Sequence, residues 1–373
     1  MTIGYHRPTK AVIDCQAIYH NIKKEQDLIT DGAVIFAVVK ANGYGHGAVE
    51  VAKIAEAAGV TGFCVALLDE ALELRAAGFT QPILILGVVS PQYAKLLVEN
   101  KLTATAPSLA WLKMTSEELS KAEFTDTLTI HVKIDSGMGR LGLVTPAEMS
   151  ETVTYLKSHP EFELEGLFTH FSKADSTDTA YFELQQSRFK TAIELFPKDL
   201  KYIHTANSAT ALWHEHWQSN LIRFGVAMYG LNPSGTEVAA PYQLKQAMSI
   251  VTELVHVKQV NQGEHISYGA EYQAQSDEWI GTLPIGYADG FDRRFKGYHL
   301  IIDGQHAEIV GRICMDQCMI RLPKEYPLGT KVTIFGENGS LANSLQSGAE
   351  YIGTINYEIP CMLTERVPLE YKS

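Results

Sequence analysis

Short apolar runs separated by longer amphipathic stretches fill roughly the first two thirds of the chain. The runs fall at residues 34–39, 63–66, 83–86, 103–105, 130–134, 166–169, 202–205 and 221–224. Several are rich in β-branched residues, as in Val34-Ile35-Phe36-Ala37-Val38-Val39, and they predict buried strands. The intervening segments carry helical spacing, for example Glu70–Gly78, which ends on a glycine suited to a helix C-terminus, and Tyr181–Phe189. Eight strands alternating with helices over about 200 residues predict a (β/α)₈ barrel, and an open doubly wound sheet shares the alternation. Ahead of the first run, Lys10–Asp14 predicts a short strand leading into a helix over 16–28. Beyond Pro241 the rhythm changes to period two, in Ser249–Val257, Trp279–Ile285 and Leu300–Asp303, with a further strand at Lys331–Gly336. This divides the chain into a barrel domain at 1–244 and a mostly β domain at 245–373.

Composition narrows the class. With 373 residues, 46% hydrophobic and 20% charged, the chain has enough apolar residues for large cores. A net charge of -12 argues against a general nucleic-acid partner. No apolar run is long enough for a membrane span, and the N-terminus lacks the apolar core of a signal peptide. The five cysteines are odd in number and scattered, which points to reduced thiols and a cytoplasmic protein. Cys314 and Cys318 form no CxxC pair, so no metal site is expected.

Candidate chemistry gathers where barrel enzymes keep it, at the C-terminal ends of the strands. Lys40 ends the first barrel strand and is followed by Gly43, Gly45 and Gly47, a turn that lets backbone come close to something and that opens a helix. An amine beside such a turn suits a carbonyl cofactor carrying a phosphate. Asp135–Arg140 follows the fifth strand and His170 ends the sixth; Asn207 and Ser208 follow the seventh, and Arg223 and Gly225 close the eighth. Each has an ordinary explanation alone, His170 as a core histidine and Arg140 as a surface charge. Together they describe one polar mouth.

The stretch Val39-Lys40-Ala41-Asn42-Gly43-Tyr44-Gly45-His46-Gly47 resembles the cofactor-lysine signature of the alanine racemases, pyridoxal-phosphate enzymes of fold type III. The similarity continues through Lys133–Arg140, Thr169–Phe171, His204–Ser208 and Arg223–Val226. In the second domain it covers Ser267–Gly269, Gly311–Asp316 and Ile355–Tyr357. The resemblance implies a barrel followed by a β domain, and a racemase that interconverts L- and D-alanine and supplies D-alanine for cell-wall peptidoglycan.

By the same resemblance, Lys40 would hold pyridoxal 5'-phosphate through its amine and act as a base on one face of the substrate Cα. Tyr268 would act on the other, helped by a hydrogen-bonded chain through His170 to Arg223. Arg223 would meet the cofactor ring nitrogen, and Arg140 the phenolic oxygen and the substrate carboxylate. Tyr44, Ser208, Gly225, Val226 and Tyr357 would hold the phosphate, with Asn207 also at the cofactor. Met315 would reach a neighbouring subunit's site together with Tyr268, which implies a homodimer with shared sites. Some members carry a carbamate on the lysine that matches Lys133.

Other readings stay open at this level. Gly43-x-Gly45-x-Gly47 after a strand, with Asp69 22 residues beyond Gly47, partly matches a nicotinamide-binding turn, although Lys40 has no role in it. A non-catalytic cofactor-binding barrel, or a racemase of serine or of a broader range of amino acids, are further alternatives.

Overall fold

The computed structural model describes residues 2–121 and 126–373. The chain begins with β1 (Lys10–Asp14), and the Asp14 carboxylate accepts the Ala17 N–H at 2.9 Å to cap helix α1 (Cys15–Leu28). Eight parallel strands follow: β2 (Val34–Val38), β3 (Gly62–Val65), β4 (Ile83–Ile85), β5 (Thr103–Ala106), β6 (Leu128–Lys133), β7 (Phe162–Phe168), β8 (Tyr202–His204) and β9 (Leu221–Phe224). They pair in chain order from β2 to β8, and β9 pairs with β2. At the seam between β8 and β9, Asn220 N–H donates to Ile203 O and Arg223 N–H to Ala206 O, each at 3.0 Å. First and last strands are therefore neighbours, which makes the sheet a barrel rather than an open wound sheet.

The second unit is a ten-stranded sheet built on β10 (Met248–Glu253) and the mostly antiparallel strands after it. Two expectations change here. The Ser249–Val257 stretch is not one strand, because the chain breaks between β10 and the strand His256–Val260. Leu254 N–H turns to Thr330 O and Val255 N–H to Thr282 O, so the two halves pair with different neighbours. More consequentially, β1 lies in this second sheet, antiparallel to β10 (Ala11↔Ile250) and parallel to the final strand Leu369–Lys372 (Ala11↔Leu369). A boundary at 244/245 thus separates β1 from the sheet it joins. The physical reason is visible in its burial: Ala11 and Ile13 are buried while their neighbours are partly exposed, the one-sided pattern of an antiparallel sheet. Barrel strands β3, β4 and β5 are instead buried along their whole length.

Candidate active site

Lys40 stands at the end of β2, and the backbone immediately after it is left-handed. Ala41, Asn42, Gly43, Tyr44 and Gly45 have φ of 53°, 52°, 60°, 52° and 78°. Three of the five are not glycine, and each of those costs about 1 kcal/mol or more. Local hydrogen bonds offset part of this: Gly45 N–H to Ala41 O at 3.0 Å, Gly47 N–H to Asn42 O at 2.9 Å, and Ala48 N–H to Asn42 Oδ1 at 3.0 Å. His46 completes the turn from within. It is fully buried, and its Nδ1 lies 2.8 Å from Tyr44 O and 3.2 Å from Gly43 O. Two carbonyl partners require the proton on Nδ1, and burial lowers the imidazole pKa to about 4, so the ring is neutral. Tyr229 packs against both rings, 4.5 Å from His46 and 4.9 Å from Tyr44, and its hydroxyl donates to Val38 O.

The glycines of this turn face protein rather than a ligand. A Cβ on Gly45 would sit 2.1 Å from Pro360 O, and one on Gly47 1.9 Å from the Tyr371 hydroxyl, both groups of the second sheet's segment of the chain. Tyr371 Oη also donates to His46 O at 3.0 Å. The partial match to a dinucleotide-binding turn therefore has a structural explanation, and the turn is shaped by the second domain packing on it.

Around Lys40 the barrel mouth encloses a cavity of about 510 Å³. Eleven of the residues singled out from sequence line it: Lys40, Tyr44, Lys133, Arg140, His170, Asn207, Ser208, Arg223, Gly225, Val226 and Tyr357. Four of these are basic, two lysines and two arginines, and no carboxylate is among the described lining residues. Desolvation, then Arg140, lowers the Lys40 pKa, and desolvation brings Lys133 down to about 7. Burial, then Arg223, holds His170 neutral. Burial raises both the Tyr44 and Tyr357 phenols, which keeps their protons on and makes them donors. Gly225 has a clear local reason: a Cβ there would meet the Tyr44 hydroxyl at 3.0 Å. Its N–H donates to Ser208 Oγ at 3.0 Å, which leaves the Ser208 hydroxyl hydrogen to donate onward into the cavity.

Arg223 departs from the expected connection to His170. Its Nη1 donates to His204 Nδ1 at 2.7 Å, and its Nη2 to Thr169 O at 2.9 Å and Thr205 O at 3.0 Å. A guanidinium only donates, so His204 carries its proton on Nε2, which gives it to His131 Nδ1 at 2.8 Å. His131 Nε2 in turn donates to Glu165 Oε2 at 3.0 Å, and Lys201 closes the line on Glu165 Oε1 at 2.7 Å. His170 instead has Nε2 3.5 Å from Asn207 Nδ2, and the amide orientation is fixed because Asn207 Oδ1 accepts from Thr210 N–H. The sequence marks His204 as part of the similar stretch His204–Ser208 and as a histidine inside an apolar strand run but gives it no role, and it carries no signal for Glu165. Lys133 hydrogen-bonds to backbone carbonyls. Its Nζ donates to Ile134 O at 2.5 Å and Leu141 O at 3.3 Å, while Asp135 accepts the N–H groups of Gly137, Gly139 and Arg140. That carboxylate shapes the loop that presents Arg140.

Tyr268 and Met315 do not line the cavity of their own chain. They are 70% and 53% exposed on the second domain. Among the described residues no helix is long and apolar enough to cross a membrane.

Residues 13–233 match the family profile described as alanine racemase, N-terminal domain, and residues 247–371 match alanine racemase, C-terminal domain. An alanine racemase of Levilactobacillus brevis is 51% identical over 372 residues, covering 100% of both chains. The crystal structure of alanine racemase from E. faecalis superposes with a TM-score of 0.97 at 51% identity, again covering 100% of both. A histidine racemase from Leuconostoc mesenteroides subsp. sake is more distant, 30% identical with a TM-score of 0.93 and 100% coverage of both. Two matched domains in order, full-length identity at this level and a superposable fold agree: the chain belongs to the alanine racemases, a family of isomerases.

Proposed function

We propose that the barrel mouth binds pyridoxal 5'-phosphate through Lys40 and that the protein interconverts L- and D-alanine with two bases on opposite faces of Cα. The observation that carries this is the cavity's basic lining, two arginines and two lysines with no carboxylate among the described lining residues, which suits a ligand bearing a phosphate and a substrate bearing a carboxylate. The donor set fits the cofactor: hydroxyls of Tyr44, Ser208 and Tyr357 with the Gly225–Val226 backbone for the phosphate, Asn207 and His170 flanking, and Lys40 for the aldehyde. Bound there, the cofactor supplies an electron sink that acidifies the Cα hydrogen. Arg223 offers donors and no acceptor to a ring nitrogen, which limits that sink and disfavours side reactions. Arg140 orients the carboxylate. Lys40 Nζ, disfavoured as an ammonium by desolvation and Arg140, takes and returns a proton on one face. Tyr268 Oη from a second copy does the same on the other face, with Met315 of that copy beside the substrate.

Lys133, pushed to about 7, is a reactive amine at neutral pH, and a carbamate formed there would place an anion near Arg140. The setting inferred is a cytoplasmic homodimer supplying D-alanine to peptidoglycan synthesis.

The direct test is reconstitution with pyridoxal phosphate, an L-alanine to D-alanine assay, and borohydride reduction followed by peptide mapping. Label on Lys40 and racemisation of alanine are expected; label on another lysine overturns the assignment. Serine and histidine in the same assay decide substrate breadth. For the shared site, inactive Lys40→Ala and Tyr268→Ala chains are mixed under subunit exchange. Random pairing makes half the dimers mixed, each with one intact site, so roughly a quarter of the wild-type activity returns. No recovery despite proven exchange rules out the shared site.

A further inference from the structure

The turn after Lys40 is also gripped from outside, by a carboxylate on the neighbouring βα unit. Glu70 lies in the first turn of the helix Leu68–Ala76 that follows β3. Its Oε2 accepts the N–H groups of Ala66 at 2.7 Å and Leu67 at 3.1 Å, the usual reach of a glutamate closing a helix start. Its Oε1 does something capping does not require: it crosses to the end of β2 and accepts the Ala41 N–H at 2.7 Å. Ala41 is bonded to Lys40, lines the cavity, and is the first left-handed residue of the turn at φ 53°, ψ 51°. Alanine holds that conformation only when something outside it fixes the peptide. The same carboxylate is one of the few anions whose field favours the Lys40 ammonium, against desolvation and Arg140.

We propose that Glu70 is a positioning residue for Lys40: by accepting the Ala41 N–H it holds the left-handed turn, and through it fixes the direction in which the Lys40 side chain enters the cavity. This rests on the reading of Lys40 as the cofactor-bearing base. Glutamine cannot replace it. All three partners are donors, and an amide presents one oxygen and one NH₂, so either the helix start or Ala41 meets a donor instead of an acceptor.

The test separates this role from capping. Leu67 occupies the N-cap position without a side-chain hydrogen bond, so Leu67→Ser supplies an independent cap. Glu70→Gln is expected to lower both melting temperature and kcat, and Leu67→Ser in the same chain to restore the melting temperature alone. Turnover stays down by about tenfold to a hundredfold, the scale of a misplaced catalytic group, with KM for alanine changed far less. Adding Ala41→Gly to Glu70→Gln recovers turnover at least about threefold, because glycine takes positive φ without steric cost. In the apoprotein, pH-dependent labelling of Lys40 by an amine-reactive reagent, read by mass spectrometry, moves to lower pH in L67S/E70Q. If that chain regains both stability and wild-type kcat, or if its labelling curve is unchanged, Glu70 only caps and the proposal fails. Equally, loss of turnover that Ala41→Gly leaves untouched overturns it. The labelling arm reads Glu70 on Lys40 in apoprotein, so it stands even if borohydride mapping finds the cofactor on another lysine.

Discussion

Two arginine-rich clusters in this molecule treat charge in opposite ways. In the second domain, the fully buried Asp289 takes Arg7 Nη2 at 2.6 Å and Nη1 at 3.0 Å, has Arg366 Nε at 3.3 Å, and accepts Gly286 N–H at 3.0 Å. Arg366 passes on to Asp316 at 2.8 Å, so the cluster is closed on itself. At the barrel mouth Lys40, Lys133, Arg140 and Arg223 share one cavity that no carboxylate lines among the described residues. Closed charge makes architecture, because removing either partner strands the other. Open charge of one sign is held apart by the fold and waits for a ligand to complete it.

The comparison breaks most decisively at Lys40. Lys40→Ala is expected to cut kcat/KM by about 10³-fold or more, and to abolish the borohydride-fixed label. Its melting temperature, taken without cofactor, should not fall, because a desolvated cation among cations is removed. A marked drop in apoprotein stability would place Lys40 with the architectural charges. Next in size, Asp289→Asn is expected to cost about 3–5 kcal/mol of unfolding free energy by denaturant titration. Its turnover per folded molecule should fall far less than that of Lys40→Ala. Stability within experimental error of wild type would refute the closed-cluster account.

The smallest effect tests the converse case, a buried acid whose burial outweighs its Tyr242 hydrogen bond and the nearby His216. Glu25 is 1% exposed, accepts from the Tyr242 hydroxyl at 2.9 Å, and is raised by burial to about 6 from 4.5. A carboxyl whose folded pKa is raised adds stability that is fully present below 4.5 and lost as pH rises through about 6. Glu25→Gln keeps the acceptor and removes the titration. It should stabilise the fold by about 2 kcal/mol above that window, with no gain below it. A constant difference across pH, measured by thermal unfolding, would contradict this.

How far the chain could be read beforehand follows the same division. Most barrel strands were legible because a strand buried on both faces reads as an apolar run; β7 is the exception, beginning four residues before its run with Phe162-Glu163-Leu164-Glu165. β1 falls outside the domain it joins because Ala11-Val12-Ile13 reads as one short apolar run, which shows neither which face is buried nor which sheet buries it. At the mouth, residues at strand ends were found by one rule, since every βα loop opens on the same side. The line from Arg223 through His204 and His131 to Glu165 was not found, because it runs sideways across β9, β8, β6 and β7. Its members become neighbours only through register, such as His131↔Gly166 and Phe168↔His204. The Gly45 and Gly47 contacts escaped for a similar reason: their partners, Pro360 and Tyr371, lie more than three hundred residues away.

The place of β1 bears on how the chain is made. Lys10–Asp14 leaves the ribosome before the barrel strands, yet the strands flanking it, β10 and Leu369–Lys372, both follow the whole barrel in the chain. The barrel can close while β1 still has bare edges, and that segment must be kept from pairing with other nascent chains until Leu369–Lys372 is made. Final locking of β1 therefore waits for the second domain. A truncation of only the last five residues should leave the barrel able to collapse but its first strand without a parallel neighbour, and so expose Ala11 and Ile13 to whatever edge is nearest.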